Sequence, residues 1–253
     1  MRTHREQILD QFTRQAVPFS TAPGIRDQTA LQLLVDASSV TSADNVLDVA
    51  CGPGLVVRAF AGVAAQVTGI DVTPAMITRA RELVGALSNV GLDTGDVSAL
   101  PYGDHEFSVV VSRYAFHHFP DPRAVLAEMK RVCRPGGRLV VCDLLGSDDP
   151  DKAATFHELE MVRDPSHVRS RRLEELQGYY RALGLAPELV AMYRLEFELE
   201  GLLSRSFPAD GNIDRLRERY LAGIENDGLG LHLTRVGKEI HGAYDVAILR
   251  AVV

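Results

Sequence analysis

The chain has 253 residues, 46% of them hydrophobic, which is enough to bury a core in one large α/β domain. Its 34 acidic and 27 basic residues give a formal net charge of −7. A negatively charged protein has no general electrostatic attraction for the phosphates of a nucleic acid. Cys51, Cys133 and Cys142 lie in or beside apolar runs without a Cys-x-x-Cys pair, which predicts core thiols rather than zinc ligands or disulfides. No window reaches the ~20 apolar residues of a membrane span, so a cytoplasmic protein is expected.

Two amphipathic helices are predicted before the first strand. Thr3–Ala16 and Arg26–Ala37 place apolar residues at helical offsets. Between them, Pro18–Gly24 contains two prolines and a glycine, which predicts a loop. Phe19 offers a flat apolar surface through which this loop could close over an active site, and core packing of Phe19 is the alternative.

Strands and helices then alternate five times, which predicts a doubly wound α/β fold with a parallel sheet. In such folds ligands bind beyond the carboxyl ends of the strands, where Asp71, Asp96, Arg113 and Asp143 fall. The predicted strands are Asn45–Ala50, Ala65–Asp71, Gly91–Asp96, Phe107–Ser112 and Arg138–Asp143. The predicted intervening helices are Gly54–Val63, Thr73–Ala86 and one that begins at Asp121 and stops at Arg134.

A glycine turn follows the first strand. Residues 46–54 read Val-Leu-Asp-Val-Ala-Cys-Gly-Pro-Gly, and Gly52 and Gly54 would let backbone amides approach a ligand closely. An ordinary tight turn would look similar. The third glycine of a dinucleotide fingerprint is absent because position 57 is Val, which argues against a nicotinamide or flavin dinucleotide. Asp71 lies near the ~20-residue offset at which a carboxylate meets ribose hydroxyls.

Five ordered segments together resemble class I S-adenosylmethionine-dependent methyltransferases, most closely the UbiE-like (methyltransferase type 11) group. They are Asp48–Gly54, Gly69–Met76, Gly95–Tyr102, His117–Pro122 and Arg131–Gly137. The resemblance covers about residues 8–145 and implies a single methyltransferase domain over 1–253. Within it, residues 1–40 form N-terminal helices, 41–145 the cofactor-binding core and 146–253 the substrate side.

The resemblance implies S-adenosylmethionine as cofactor and a role for each matching residue. Gly52 and Gly54 would lie against its methionine part, and Asp48 would approach the ammonium directly or through water. Asp48 could instead only satisfy loop amides. Asp71 would accept both ribose hydroxyls, since an ionised carboxylate suits a vicinal diol.

The adenine is expected beyond the second and third strands. Met76 would pack on its ring unless it is a core residue, Asp96 would accept from the exocyclic amine, and the backbone amide of Val97 would meet a ring nitrogen. Arg113 is expected near the methionine end. The complete predicted cofactor set is Phe19, Asp48, Gly52, Gly54, Asp71, Val72, Met76, Asp96, Val97 and Arg113.

Methyl transfer is a one-step displacement, so an enzyme chiefly aligns the reactants and excludes water. His117 or His118, just after the fourth strand, is a candidate base for an acceptor that loses a proton, and Tyr114 is a candidate for orienting the substrate. A purely structural His-His turn is the alternative. Adjacent histidines lack metal-ligand spacing, so no metal is expected.

The last third of the chain is expected to build the substrate side. Asp151–Arg163 and Arg171–Ala182 are predicted helices, and Glu188–Leu199 and Ala243–Val252 resemble the final antiparallel pair of the family fold, giving seven strands with the last one antiparallel. Residues 204–241, with a helix at 213–224, are predicted to cap the pocket. The side chains that could face an anionic or carbonyl-bearing acceptor, or be ion-paired instead, are Arg163, His167 and Arg169.

The sequence therefore predicts a methyltransferase acting on an oxygen or carbon atom of a small molecule. A binding protein that senses the cofactor, or a cyclase or isomerase that uses the sulfonium charge without spending the methyl, are the alternatives, and a dehydrogenase is disfavoured by Val57. A small-molecule acceptor is the expected partner, and a homodimer is one option for the assembly.

Overall fold

A computed structural model describes residues 3–253. Its strands are β1 (Asn45–Val49), β2 (Gln66–Asp71), β3 (Val90–Thr94), β4 (Phe107–Arg113), β5 (Cys133–Leu144), β6 (Glu188–Glu198), β7 (Thr234–Val236) and β8 (Glu239–Val252). Its α-helices are α1 (His4–Thr21), α2 (Gln28–Ala37), α3 (Leu55–Ala61), α4 (Pro74–Val84), α5 (Pro122–Val132), α6 (Pro150–Arg163), α7 (Leu173–Ala182), α8 (Leu199–Leu203) and α9 (Ile213–Ala222).

The sheet has the order β3-β2-β1-β4-β5-β8-β6, and β7 pairs with β8 beside this path. The first five strands pair in parallel, whereas β8 runs antiparallel to both β5 and β6. The order reverses between β1 and β4, which is the switch point where doubly wound sheets bind ligands. The predicted Rossmann-like sheet, mostly parallel with an antiparallel last strand, is confirmed.

Helices cover both faces of the central strands. All seven residues of β4 are buried, as expected for a parallel strand with helices on each side. One apolar cluster packs the face beneath α2 and α3, and a second packs the face beneath α5 and α7. None of the helices in residues 3–253 is long and apolar enough to cross a bilayer.

The first helix is longer than predicted. A capping box of Thr3 and Glu6 starts α1, and the helix continues through Pro18 to Thr21, so the predicted loop is reduced to the turn after Ala22. Proline removes only one backbone hydrogen bond near a helix end. The hydroxyl of Thr21 donates to the Val17 carbonyl at 3.2 Å and supports this last turn.

The segment predicted as a cap has a different position. Part of it forms α9, which packs on α6, and Tyr220 of α9 donates to Glu160 of α6 at 3.2 Å. Residues 234–236 form β7, a short exposed strand that was not predicted because three residues carry no readable periodicity. The main cavity is instead roofed by α1, as described below.

Candidate active site

A cavity of about 450 Å³ opens at the carboxyl ends of β1, β2 and β4. Its floor is formed by the glycine turn after β1 and by the ends of β2 and β4, and Asp96–Ser98 form one wall. The roof is α1, whose His4, Arg5, Ile8 and Phe12 all line the cavity. The parallel sheet therefore supplies the floor, and a helix from the N-terminus closes the top.

The two glycines of the turn have different reasons to be glycine. Gly52 lines the cavity at φ 52°, and a Cβ placed on it would meet nothing within 4 Å. Gly54, at φ 84°, does not line the cavity, and its Cβ would lie 2.9 Å from the Cβ of Ala80. Gly52 thus leaves room for a ligand, whereas Gly54 permits the close packing of α3 on α4.

Asp71 lies at the end of β2 and faces the cavity. Its two oxygens accept from the amides of Gly52 at 2.9 Å and Thr73 at 2.8 Å, which fixes the carboxylate. Burial raises its pKa, and these two amides oppose that shift. Each oxygen retains a second lone pair, so the carboxylate can still accept from a vicinal diol.

Asp48 lies below the glycine turn and does not line the cavity. It is 1% exposed, and its Oδ2 has no hydrogen-bond partner in residues 3–253. Burial and the neighbouring Asp71 raise its pKa well above the usual value, and Arg113 opposes this shift. The Nε atom of Arg113 is likewise buried without a partner, so one carboxyl group and one guanidinium at this end each have an unused polar atom.

The predicted adenine residues gather at the other end of the cavity. Val72, Met76, Asp96 and Val97 all line it, and Met76 is 1% exposed. Asp96 is already engaged, because Oδ1 accepts from Ser98 and Oδ2 forms an ion pair with Arg5 at 2.9 Å. An adenine amine would have to share this carboxylate with the roof helix.

Arg113 and Tyr114 line the region where the methionine part of the cofactor is expected. The Arg113 guanidinium lies 4.1 Å from the centre of the Tyr114 ring and donates to the Ile25 carbonyl and the Tyr114 hydroxyl. Burial raises the pKa of Tyr114 to about 12, and its hydroxyl lies 2.5 Å from that of Tyr193. Tyr114 is therefore protonated at neutral pH and is held as a hydrogen-bonding group. Phe19 also lines the cavity.

The two candidate histidines point to different partners. His118 lines the main cavity, whereas His117 does not. His118 Nδ1 lies 3.0 Å from the Ser166 carbonyl, and His117 Nδ1 lies 2.6 Å from Asp143 Oδ1. Because a carbonyl and a carboxylate only accept, Nδ1 of each histidine carries a proton and donates it to its partner.

The surroundings hold both rings in place. Arg171 donates to the carbonyls of Phe116 and Phe119 on either side of the histidine pair. Burial and the nearby His117 lower the pKa of His118 to about 4. His118 is therefore neutral at physiological pH and can accept a proton.

A second pocket adjoins the cavity behind His118. It shares Phe12, Phe19, Ile25, Tyr114 and His118 with the main cavity. Its remaining lining residues are Gln15, Gly24, His117, Leu144, Arg163, Asp164, Leu195, Glu196, Phe197, Leu202, Arg205 and Tyr244. We call this space the second pocket.

The sequence did not predict that Ile8, Phe12 or Arg205 lines these spaces. Ile8 and Phe12 were identified as an apolar face of α1, and this pattern alone does not distinguish core packing from a cavity roof. Arg205 is the only residue of the expected cap that lines either of these two spaces. Of the other predicted acceptor-side residues, Arg163 lines the second pocket, while His167 is buried behind it and Arg169 pairs with Glu175.

The cavity matches S-adenosylmethionine in size and chemistry. The fixed Asp71 suits the ribose diol, apolar Met76 and Val97 suit the adenine, and the guanidinium of Arg113 suits the carboxylate of an amino acid. In residues 3–253 no cluster of His, Cys, Asp and Glu is suited to a metal ion. The fold and site thus define an α/β enzyme with a nucleoside-binding cavity at the carboxyl edge of its sheet.

Comparisons with known proteins identify the family. Residues 47–141 match the family model described as a methyltransferase domain. The chain is 29% identical over 202 residues to the uncharacterized methyltransferase YcgJ of Bacillus subtilis (strain 168), covering 79% of this chain and 80% of that protein. The crystal structure of YcgJ aligns with a TM-score of 0.80 at 25% identity, over 88% of this chain and 97% of that chain.

Two further relatives cover shorter stretches. The uncharacterized protein YafE of Escherichia coli (strain K12) is 30% identical over 151 residues, 56% of this chain and 73% of that protein. The 27-O-demethylrifamycin SV methyltransferase of Amycolatopsis mediterranei (strain S699) is 33% identical over 153 residues, 58% of this chain and 56% of that protein. The chain belongs to the S-adenosylmethionine-dependent methyltransferases, which confirms the predicted enzyme class and cofactor.

Proposed function

We propose that this methyltransferase methylates an oxygen or carbon atom of a small molecule that gives up a proton in the reaction. The observation that carries the proposal is the position of His118. It lines both the main cavity and the second pocket, and its neutral ring leaves Nε2 as a proton acceptor. A related O-methyltransferase, named for its rifamycin substrate, supports the same acceptor class.

The cofactor supplies an activated methyl group on a sulfonium, and the chain supplies position and proton transfer. Asp71 would hold the ribose, and Gly52 and Arg113 would lie against the amino acid part, with Asp48 acting from below the glycine turn. Phe12 and Phe19 cover the region where the cavity meets the second pocket and would exclude water there.

His118 would take the proton from the acceptor at Nε2, since Nδ1 is occupied by the Ser166 carbonyl. Ser166 is itself fixed, because its hydroxyl donates to Asp164 at 2.5 Å. His117, held by Asp143, lines only the second pocket and would form a hydrogen bond with the bound acceptor. Tyr114, which lines both spaces, would orient the acceptor.

The experiment has two stages. Native mass spectrometry of the purified protein should show retained S-adenosylmethionine or S-adenosylhomocysteine. A panel of quinols, phenols and keto acids is then tested for formation of S-adenosylhomocysteine. Cofactor-dependent methylation restricted to amines would contradict the proposal.

A further inference from the structure

The second pocket combines aromatic side chains with two guanidinium groups. Phe12, Phe197 and Tyr244 supply apolar surface, and Arg163 and Arg205 supply positive charge. Whether these charges are already neutralised decides what kind of acceptor the pocket accommodates. The hydrogen bonds and ion pairs of each charged lining residue answer this question.

Arg163 is fully paired. Its Nε and Nη2 donate to the two oxygens of Glu160 at 2.8 and 2.6 Å, a bidentate arrangement. Glu160 is 1% exposed and also accepts from the Tyr220 hydroxyl. The positive charge of Arg163 is therefore neutralised by a buried carboxylate.

Asp164 is also engaged. It accepts from the amide and the hydroxyl of Ser166 at 2.9 and 2.5 Å, and from Gln15 of α1 at 3.2 Å. The remaining carboxylate of the lining, Glu196, lies on the exposed side of β6.

Arg205 differs from both. Its guanidinium makes one hydrogen bond, from Nη1 to the Gly201 carbonyl at 2.6 Å, and it has no carboxylate within 4.0 Å in the part of the chain that the structure describes. Glu198 acts on it from farther away, but its oxygens accept from the amides of Glu200 and Gly201. Half-buried Arg205 is thus a cation without an ion-pair partner.

A partly desolvated cation is costly unless an anion compensates it. We propose that the second pocket binds a carboxylate group of the methyl acceptor through Arg205. A planar guanidinium with free donors matches a carboxylate better than a compact ammonium would. The aromatic lining favours a ring next to this carboxylate, so the acceptor class is an aromatic or similarly flat carboxylic acid whose reacting atom reaches His118.

This inference rests on the proposed function for its reaction, but binding tests it separately. Benzoate and its neutral isostere benzamide are titrated calorimetrically into the full-length protein saturated with S-adenosylhomocysteine. Benzoate is expected to bind at least 10-fold more tightly than benzamide, because only the anion compensates Arg205. The variant Arg205→Gln should remove this difference, and Arg205→Lys should retain part of it.

The matched control is Arg194→Gln, which removes an exposed arginine of β6 that does not line the second pocket. It should leave the preference for benzoate unchanged, and thermal melting should show that Arg205→Gln remains folded. Equal binding of the two probes, no binding of benzoate, or a preference that survives in Arg205→Gln would overturn the inference. Failure to bind S-adenosylhomocysteine would instead count against the proposed function.

Discussion

The cofactor cavity and the second pocket adjoin each other but are built by different means. The floor and one wall of the cavity come from strand ends and the turns that follow them, within residues 50–56, 71–76, 96–98 and 113–115. The second pocket is assembled from α1, the histidine turn, α6, β6, α8 and β8, with Phe12 and Tyr244 at its sequence limits. The cofactor side depends on backbone geometry, whereas the acceptor side depends on side chains brought together from distant elements.

This difference has a physical reason. Parallel strands end at one edge of a sheet, so residues that follow them converge wherever the sheet forms. Helices added at the two ends of the chain have no such constraint, and one scaffold can therefore accept many substrates. Helix α1 connects the two regions, because Arg5 pairs with Asp96 beside the cavity while Gln15 reaches Asp164 beside the second pocket.

The largest effect is expected on the cofactor side. Asp71→Ala should weaken S-adenosylhomocysteine binding by roughly 100-fold or more, because two charge-assisted hydrogen bonds to a diol are lost. Calorimetric titration measures this. The control Asp93→Ala removes a carboxylate at the neighbouring strand end that bonds Tyr102 outside the cavity, and its affinity should be unchanged. Wild-type affinity in Asp71→Ala would contradict the assigned role.

On the acceptor side, His118→Asn should lower kcat by about 100-fold while cofactor affinity stays within twofold, since a general base contributes typically 10²–10⁴-fold. The measurement is methyl transfer to whichever panel compound is turned over. His241→Asn, at a half-buried position of β8 that lines neither space, is the control and should retain full activity. A reduction of kcat by less than threefold in His118→Asn would show that His118 is not the general base.

The glycine turn offers a matched pair of variants. Gly54→Ala should cost about 2–3 kcal/mol of unfolding free energy, because its Cβ would collide with Ala80 and φ is positive. Gly52→Ala should cost only about 1 kcal/mol but reduce cofactor affinity, since its Cβ enters open cavity space. Urea unfolding and calorimetry separate the two, and equal stability losses would contradict the difference.

The pKa of His118 predicts a pH dependence of stability. Because burial lowers this pKa to about 4, the unfolded chain binds a proton between about pH 6.5 and 4 that the folded chain does not. Stability from this group is therefore lost as the pH falls, by about 2 kcal/mol from pH 7 to pH 5.

The measurement compares urea unfolding of wild type and His118→Asn at both pH values. The raised pKa of Asp48 acts with the opposite sign, so the difference between the two proteins isolates His118. His241→Asn should retain the wild-type dependence. Identical pH dependence in wild type and His118→Asn would show that His118 is not held neutral.

The smallest effect is expected at the roof. The Arg5–Asp96 ion pair is exposed, with side chains 62% and 46% accessible. Exposed pairs contribute about 0.2–1 kcal/mol, so Arg5→Ala should raise the dissociation rate of S-adenosylhomocysteine by less than about fivefold. Stopped-flow displacement measures this, and a much larger change would mean that α1 holds the cofactor mainly through this pair.

The sequence by itself determined the alternation of elements, the strand-end residues and the cofactor. Strand periodicity, the glycine turn and Asp71 are local patterns, so they can be read before the chain folds. Gly54 was predicted to lie against the methionine part of the cofactor, whereas the structure shows a different reason for this glycine, its close approach to Ala80 of another helix.

Tertiary structure alone decided what closes the site. The continuation of α1 through Pro18, its place over the cavity and the packing of α9 on α6 depend on which faces meet after folding. The environment of Arg205 was decided in the same way, because the elements that fold around it leave it without a carboxylate partner in the described residues. The elements that surround Arg205 are distant in sequence, so no local pattern encodes their arrangement, whereas the pairing of Arg163 with Glu160 lies within one turn of α6 and is local.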